Sequence, residues 1–260
     1  MKPFDKYYYY KRAVQSPEID CQFLANAYKS LRGRPARVLR EDFCGTFSVC
    51  CTWVRKSKDN RAVGIDLDPK PIAYGRKHYL PELNEAAQKR VNIVQGSVLS
   101  ARVEKVDITA ALNFSYYLFK TREELLAYFK RARAGLRPKG IFFVDCFGGS
   151  GCQESNVEET KHRGFRYYWE QVNFNPISYE AKFHIHFKRD GERKRQKVFS
   201  YDWRMWTIPE IREVMLEAGF KRTHVYWEGA GPRGKGDGIF RRREVGEDAE
   251  GWIAYVIGEI

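Results

Sequence analysis

Between residues 36 and 144, short apolar runs of strand length alternate with segments of helical period. The runs at 36–39, 61–65, 91–94, 106–112 and 140–144 read as buried strands, each bounded by turn or cap residues. A helix over 47–54 follows the first. A second opens at Asp68-Pro69 and runs to about His78, and a third starts near Thr121, where Thr-Arg-Glu-Glu forms a capping box. Upstream, Ser16-Pro17-Glu18 starts a helix that reaches about Leu31 and is stopped by Gly33. Strand and helix in this rhythm predict a parallel sheet covered on both faces.

After Gly148 the texture changes to longer, alternating, aromatic-rich stretches. In 182–188, Phe183, Ile185 and Phe187 share one face while His184 and His186 share the other. Asp190-Gly191 is a hairpin turn signal, and 198–201 supplies part of the returning strand. Thr207 caps a helix that Gly219 ends, and strands follow at 223–227 and 252–257. The glycine- and charge-rich segment 229–251 reads as a loop, either a lid or disordered. The division expected is an N-terminal helical arm (1–35), an α/β core (36–147), an antiparallel cover (148–206) and a C-terminal part completing the core sheet (207–260).

Charge changes this picture little. The 260 residues include 46 Lys and Arg against 33 Asp and Glu, a formal charge of +13. The densest basic stretches are 187–197 and Arg241-Arg242-Arg243, but acids are mixed among them, so a solvated surface is the simpler reading and nucleic acid a disfavoured partner. No apolar run approaches the ~18 residues of a membrane span, and the first residues carry no signal-peptide core. The six cysteines lack a C-x-x-C pair, which suggests reduced thiols and a cytoplasmic protein. His184 and His186 have no third clustered ligand, so no metal is expected.

The segment Val38-Leu39-Arg40-Glu41-Asp42-Phe43-Cys44-Gly45-Thr46 runs from a strand into a tight turn holding acid, glycine and hydroxyl. About 20 residues later Asp66 ends the next strand, a spacing suited to an acid that accepts hydrogen bonds from ribose hydroxyls. In an open α/β sheet, ligands bind at these carboxyl ends.

With these motifs the chain resembles the class I S-adenosylmethionine-dependent methyltransferases, clearly over about residues 36–147. Cys44-Gly45-Thr46 stands where many members have Cys-Gly-Thr, with Phe43 and Phe47 near the places of two absent glycines. The missing glycines argue against a nicotinamide cofactor, whose pyrophosphate needs close backbone approach. Leu136-Arg137-Pro138-Lys139-Gly140 matches the turn before the fifth strand. The resemblance implies an α/β fold, a seven-stranded Rossmann-like sheet of order 3-2-1-4-5-7-6 with an antiparallel β insertion between strands 5 and 6. It implies S-adenosylmethionine as cofactor and S-adenosylhomocysteine as product. Arg40 would face the methionine carboxylate and Glu41 or Asp42 its ammonium, with Phe43, Cys44, Gly45 and Thr46 forming the turn. Asp66 would hold the ribose, and Leu67, Asp68 and Gly96-Ser97-Val98 would lie by the adenine, Ser97 replacing a common Asp. Asn113-Phe114-Ser115-Tyr116-Tyr117 would border the transferred methyl group.

The fourth motif lacks the two prolines of base-amine methyltransferases, and the insertion is similar to the cover of small-molecule N-methyltransferases. Its aromatic residues Tyr167, Tyr168, Trp169, Phe174, Tyr179, Trp203 and Trp206 would form a dry acceptor pocket. Candidates to act on the acceptor are His184, His186, Tyr117 and Asp145. The function expected is methylation of a small-molecule nitrogen or oxygen. Two alternatives stand beside it: an RNA or protein methyltransferase using the basic hairpin 187–197, and a non-catalytic S-adenosylmethionine-binding module.

Overall fold

The computed structural model describes residues 3–231 and 236–260. Two helices open the chain, α1 (Lys6–Ala13) and α2 (Pro17–Arg32). Asp5 caps α1 by accepting from the Tyr7 and Tyr8 N–H groups. Gly33 ends α2 in the left-handed region at φ 68°. There follow β1 (Val38–Asp42), α3 (Ser48–Arg55), β2 (Arg61–Asp66), α4 (Pro69–His78), α5 (Glu85–Gln88), β3 (Val91–Gln95), β4 (Val106–Ala111), α6 (Arg122–Ala134) and β5 (Leu136–Gly148). The capping box expected at Thr121 forms, and the cap expected at Thr207 is also a full box, Glu124 and Glu210 reaching back to the cap N–H. Next come β6 (Asn156–His162), β7 (Phe165–Asn175), β8 (Glu180–Arg189), β9 (Arg195–Arg204), α7 (Ile208–Glu217), β10 (Arg222–Ala230), β11 (Gly236–Arg243) and β12 (Trp252–Glu259).

The central sheet has eight strands, β11-β10-β12-β5-β4-β1-β2-β3, which corrects the expected seven-stranded order. The strands from β5 to β3 run parallel, whereas β12 pairs antiparallel with both β5 and β10. The additional strand is β11, from the segment expected to be a loop. It pairs antiparallel with β10 from Val225↔Arg243 to Glu228↔Phe240. Its arginines and exposed Ile239 give no apolar alternation, because an edge strand needs charge more than burial. Of the lid or disordered loop expected over 229–251, residues 232–235 lie outside the described residues.

Alternate residues of the sheet feed two cores. Phe142 and Val144 pack with α6 and α7 on one face, and Ile141 and Phe143 pack with α2 and α3 on the other. Within the expected N-terminal arm, α2 buries Cys21, Leu24, Ala27 and Tyr28 in that second core, and only α1 stands apart. The strands β6-β7-β8-β9 form a separate antiparallel sheet between β5 and α7. Phe183, Ile185 and Phe187 are buried on one of its faces, in the register that the alternation set.

Candidate active site

The turn after β1 is held from several directions. Gly45 N–H donates to the Asp66 carboxylate at 2.7 Å, and Cys44 N–H donates to the Ile65 carbonyl at 3.0 Å. The β1 and β2 ends are therefore tied together at the carboxyl edge. The other Asp66 oxygen accepts from Asp68 N–H at 2.8 Å, while Asp68 caps α4 through Lys70 N–H at 2.9 Å. Burial outweighs these N–H donors and raises the Asp66 carboxyl above its ordinary value. Leu67 beside it is 70% exposed, an apolar side chain left at the cleft rim. Gly96 N–H donates to the Asp66 carbonyl at 2.8 Å, so the turn after β3 joins the same edge. Ser97 is half-buried with its hydroxyl accepting from Leu99 N–H, whereas Val98 is buried in the core.

Glu41, Asp42, Phe43, Cys44, Gly45 and Thr46 line a cavity of about 210 Å³ with Asp68, Leu112, Asn113 and Ser115. Glu41 is 4% exposed, and among the described residues its carboxylate accepts only from Cys50 N–H at 3.1 Å and Cys50 Sγ at 3.0 Å. Burial pushes its carboxyl up to about 8. A buried acid without a basic partner suits a ligand that brings a positive charge. Arg40 does not reach this cavity, a correction to the role expected for it. On the opposite side of β1, it is buried and bound to Asp42 at 2.7 Å and 3.2 Å, with the Val98 carbonyl as a further acceptor. The (i, i+2) spacing on a strand puts Arg40 and Asp42 on one face, and Tyr128 completes the pair by donating to Asp42 at 2.9 Å.

Asp145 is a positioning residue in this geometry. Its carboxylate accepts from Asn113 N–H at 2.6 Å and Phe114 N–H at 2.8 Å, and both donors sit at φ 57°. It thereby fixes a left-handed turn that presents Asn113 and Ser115 to the cleft. Burial pushes the Asp145 carboxyl up to about 7. Tyr117 is fully buried behind that turn, its hydroxyl donating to the Trp206 carbonyl at 3.3 Å. Neither Asp145 nor Tyr117 lines the cavity, so both expected catalytic roles are corrected to support.

For the run Tyr7 to Tyr10 the sequence offers no preference between an adhesive arm and a fold over the cofactor; in the structure Lys6, Tyr7 and Tyr10 of α1, with Gln15 just after it, line the small cavity. The helix is clamped between layers: Asp5 accepts from Tyr74 of α4 at 2.6 Å, and the Tyr10 and Phe199 rings lie 4.8 Å apart. Tyr10, Asn113 and Tyr201 also border a second, larger cavity of about 530 Å³. Phe114, Phe147, Tyr167, Trp169, Trp203 and Trp252 supply its aromatic walls. Tyr10 and Tyr201 stand together at the junction of the two spaces. His184 and His186 lie on the other face of the cover sheet, which corrects their expected catalytic position. Ile185 faces the cavity, while His184 bonds Ser200 at 2.8 Å and His186 bonds Glu170 at 2.9 Å and accepts from Lys197 N–H at 2.9 Å.

No family model matches the chain, and no curated protein does. Solved structures do match over nearly the whole length. An amino pentose methyltransferase from Micromonospora echinaspora, solved with S-adenosylmethionine bound, superposes with a TM-score of 0.68 at 15% identity, covering 100% of this chain and 99% of its own. The chain has the fold of the S-adenosylmethionine-dependent methyltransferases. A methyltransferase from Clostridium acetobutylicum gives 0.68 at 15% identity over 96% of both chains. A sugar N-methyltransferase from Streptoalloteichus gives 0.66 at 14% identity, covering 100% of this chain and 94% of its own.

Within this methyltransferase fold, the two phenylalanines near the absent glycines keep a glycine-like backbone. Phe43 has φ 56° and Phe47 φ 48°, so the turn follows a left-handed path at a cost of about 1–2 kcal/mol per residue. Packing offsets that strain. The Phe47 ring is fully buried against α4, where a Cβ on Gly75 would lie 2.5 Å from it and 2.3 Å from the Thr46 carbonyl oxygen. The glycine that a close helix approach requires has moved from the turn to the neighbouring helix.

Proposed function

We propose that the chain is a methyltransferase that uses S-adenosylmethionine, releases S-adenosylhomocysteine and methylates a nitrogen or oxygen of a small molecule. The observation that carries this reading is the junction at Tyr10, Asn113 and Tyr201, where a cleft with a buried, cation-seeking Glu41 opens into a larger aromatic cavity. Asp66 would hold the ribose hydroxyls, with Leu67, Asp68, Gly96 and Ser97 near the adenine. Glu41 would take the methionine ammonium, and Lys6 replaces Arg40 as the cation for the carboxylate. When bound, the cofactor supplies an electrophilic methyl group. The chain's own part is then alignment and exclusion of water: α1 and the cover sheet close over the junction, and the Tyr10–Tyr201 pair is set to orient the acceptor. Such a reaction needs a base only when the nucleophile arrives protonated.

A cavity of about 530 Å³ suits a small acceptor rather than a polymer. The basic hairpin carries less weight as an RNA or protein surface, since three of its six cations are engaged internally. Arg189 and Arg195 pair with Glu192, and Lys194 lies 3.9 Å over the Tyr168 ring. Among the described residues no helix is long and apolar enough to cross a membrane. We place the protein in the cytoplasm, in keeping with its free cysteines. The division into 1–35, 36–147, 148–206 and 207–260 belongs to the same reading. Thermal melts with S-adenosylmethionine and S-adenosylhomocysteine test it: both ligands should raise the melting temperature by mass action, and no shift with either at saturation would contradict it.

A further inference from the structure

The larger cavity has a charge opposite to that of the protein around it. Glu158, Glu228 and Glu250 line it, whereas no Lys, Arg or His among the described residues does, in a chain where 46 of 260 residues are Lys or Arg. Among the described residues none of the three carboxylates is ion-paired, although neighbouring Glu159 and Glu170 are, with Arg166 and His186. The strand register aims Glu158 inward, since it stands opposite Trp169 as Asn156 stands opposite Gln171, and all four line the cavity. Among the described residues Asn156 Oδ1, buried, has no hydrogen-bond partner. Burial raises the thiol of Cys152 and the hydroxyl of Tyr167, both cavity residues, and the Glu158 carboxylate adds to each. The three carboxylates and the Asn156 Oδ1 are acceptors, set among the indole faces of Trp169, Trp203 and Trp252. Acceptor oxygens and aromatic faces together are the surroundings that stabilise an organic cation.

Position narrows the ligand further. Tyr10, Asn113 and Tyr201 border both cavities, but Glu158, Glu228 and Glu250 border only the larger one. We infer that the methyl acceptor is a small organic cation whose positive charge, an ammonium group, sits at the carboxylate-lined end of the cavity, remote from the atom that is methylated. This rests on the methyltransferase reading for the word acceptor; the preference of the cavity for a cation can be measured without it.

The test uses the whole chain with hexamethylenediamine, hexylamine and hexanediol as probes, followed by tryptophan fluorescence with and without S-adenosylhomocysteine. The diamine and hexylamine each carry an ammonium group and should bind at least about fivefold tighter than the uncharged diol. Glu158 and Glu250 are exposed, so the double variant E158Q/E250Q is expected to fold, and E228Q is a separate probe of the half-buried carboxylate. Each should reduce the preference for the amines while leaving S-adenosylhomocysteine affinity unchanged. Equal binding of hexylamine and hexanediol, or a preference for the amines that survives in both variants, overturns the inference. Absence of S-adenosylhomocysteine binding with the preference for the amines intact contradicts the methyltransferase reading and not the cation site.

Discussion

Glu41 ties the cofactor site to pH. Its carboxyl is 4% exposed, faces the small cavity and is pushed by burial from an ordinary 4.5 to about 8. In the empty protein the folded state therefore keeps a proton that the unfolded chain releases. The stability from this group falls as pH rises from about 4.5 to about 8. A bound ammonium reverses the preference, because it stabilises the carboxylate. Below about pH 8, binding of S-adenosylhomocysteine must expel the proton, and affinity should rise by up to tenfold per pH unit. Between pH 6 and pH 8 that amounts to at most about a hundredfold, with a plateau above. Isothermal titration across this range, in buffers of differing ionisation enthalpy, would read both the affinity and the released proton. Glu41→Gln removes the titrating group, and should flatten the profile and weaken binding at pH 8.5 by about 10- to 150-fold, the loss of one hydrogen bond to a charged group. Because Asp20 and Asp66 also face Glu41 electrostatically, the wild type alone does not decide the matter. An E41Q profile as steep as that of the wild type would refute the assignment.

Other substitutions probe the remaining parts. Asp66→Ala should weaken S-adenosylhomocysteine binding at least tenfold by calorimetry, through loss of both the Gly45 anchor and the ribose acceptor, and an unchanged affinity would mean the wrong acid has been placed at the ribose. Phe47→Gly relieves a left-handed residue worth about 1–2 kcal/mol but empties the space of a fully buried ring worth about 3–5, so denaturant unfolding should show a net loss of about 1–4 kcal/mol; a stabilised variant would contradict the packing argument. His184→Gln with His186→Gln should leave turnover on an identified acceptor within a few-fold of wild type, since both rings lie on the outer face of the cover sheet, and a collapse of turnover with cofactor affinity intact would return them to the site.

How much was legible in the sequence depended on what each segment has to bury. The strands β1, β2 and β4 lie in the middle of the sheet and read as short apolar runs, and β8 alternated because one of its faces is core. Its alternation also separated the histidines from the apolar face, but could not say which face would look onto the cavity. That face was set by packing against α1, through contacts such as Tyr9 with Phe165 and Tyr10 with Phe199. β6 and β11 were illegible for a related reason: they are edge strands rich in charge, with little apolar pattern to detect. In the site, Glu41 and Asp66 could be read from spacing, whereas Arg40 was misplaced because strand β1 extends through Asp42, which leaves Arg40 two residues short of the carboxyl edge with its side chain held by Asp42 and the Val98 carbonyl. Lys6 and Tyr10 reach the site only through tertiary packing, which no local motif records.

The central claim is transfer of a methyl group to a small molecule, and the most direct measurement is incubation of the chain with methyl-labelled S-adenosylmethionine and a metabolite extract, followed by identification of the labelled product. The account predicts label in a low-molecular-weight cation and an equal yield of S-adenosylhomocysteine. Label confined to RNA or protein, or cofactor that binds and is never turned over by any extract, would contradict it.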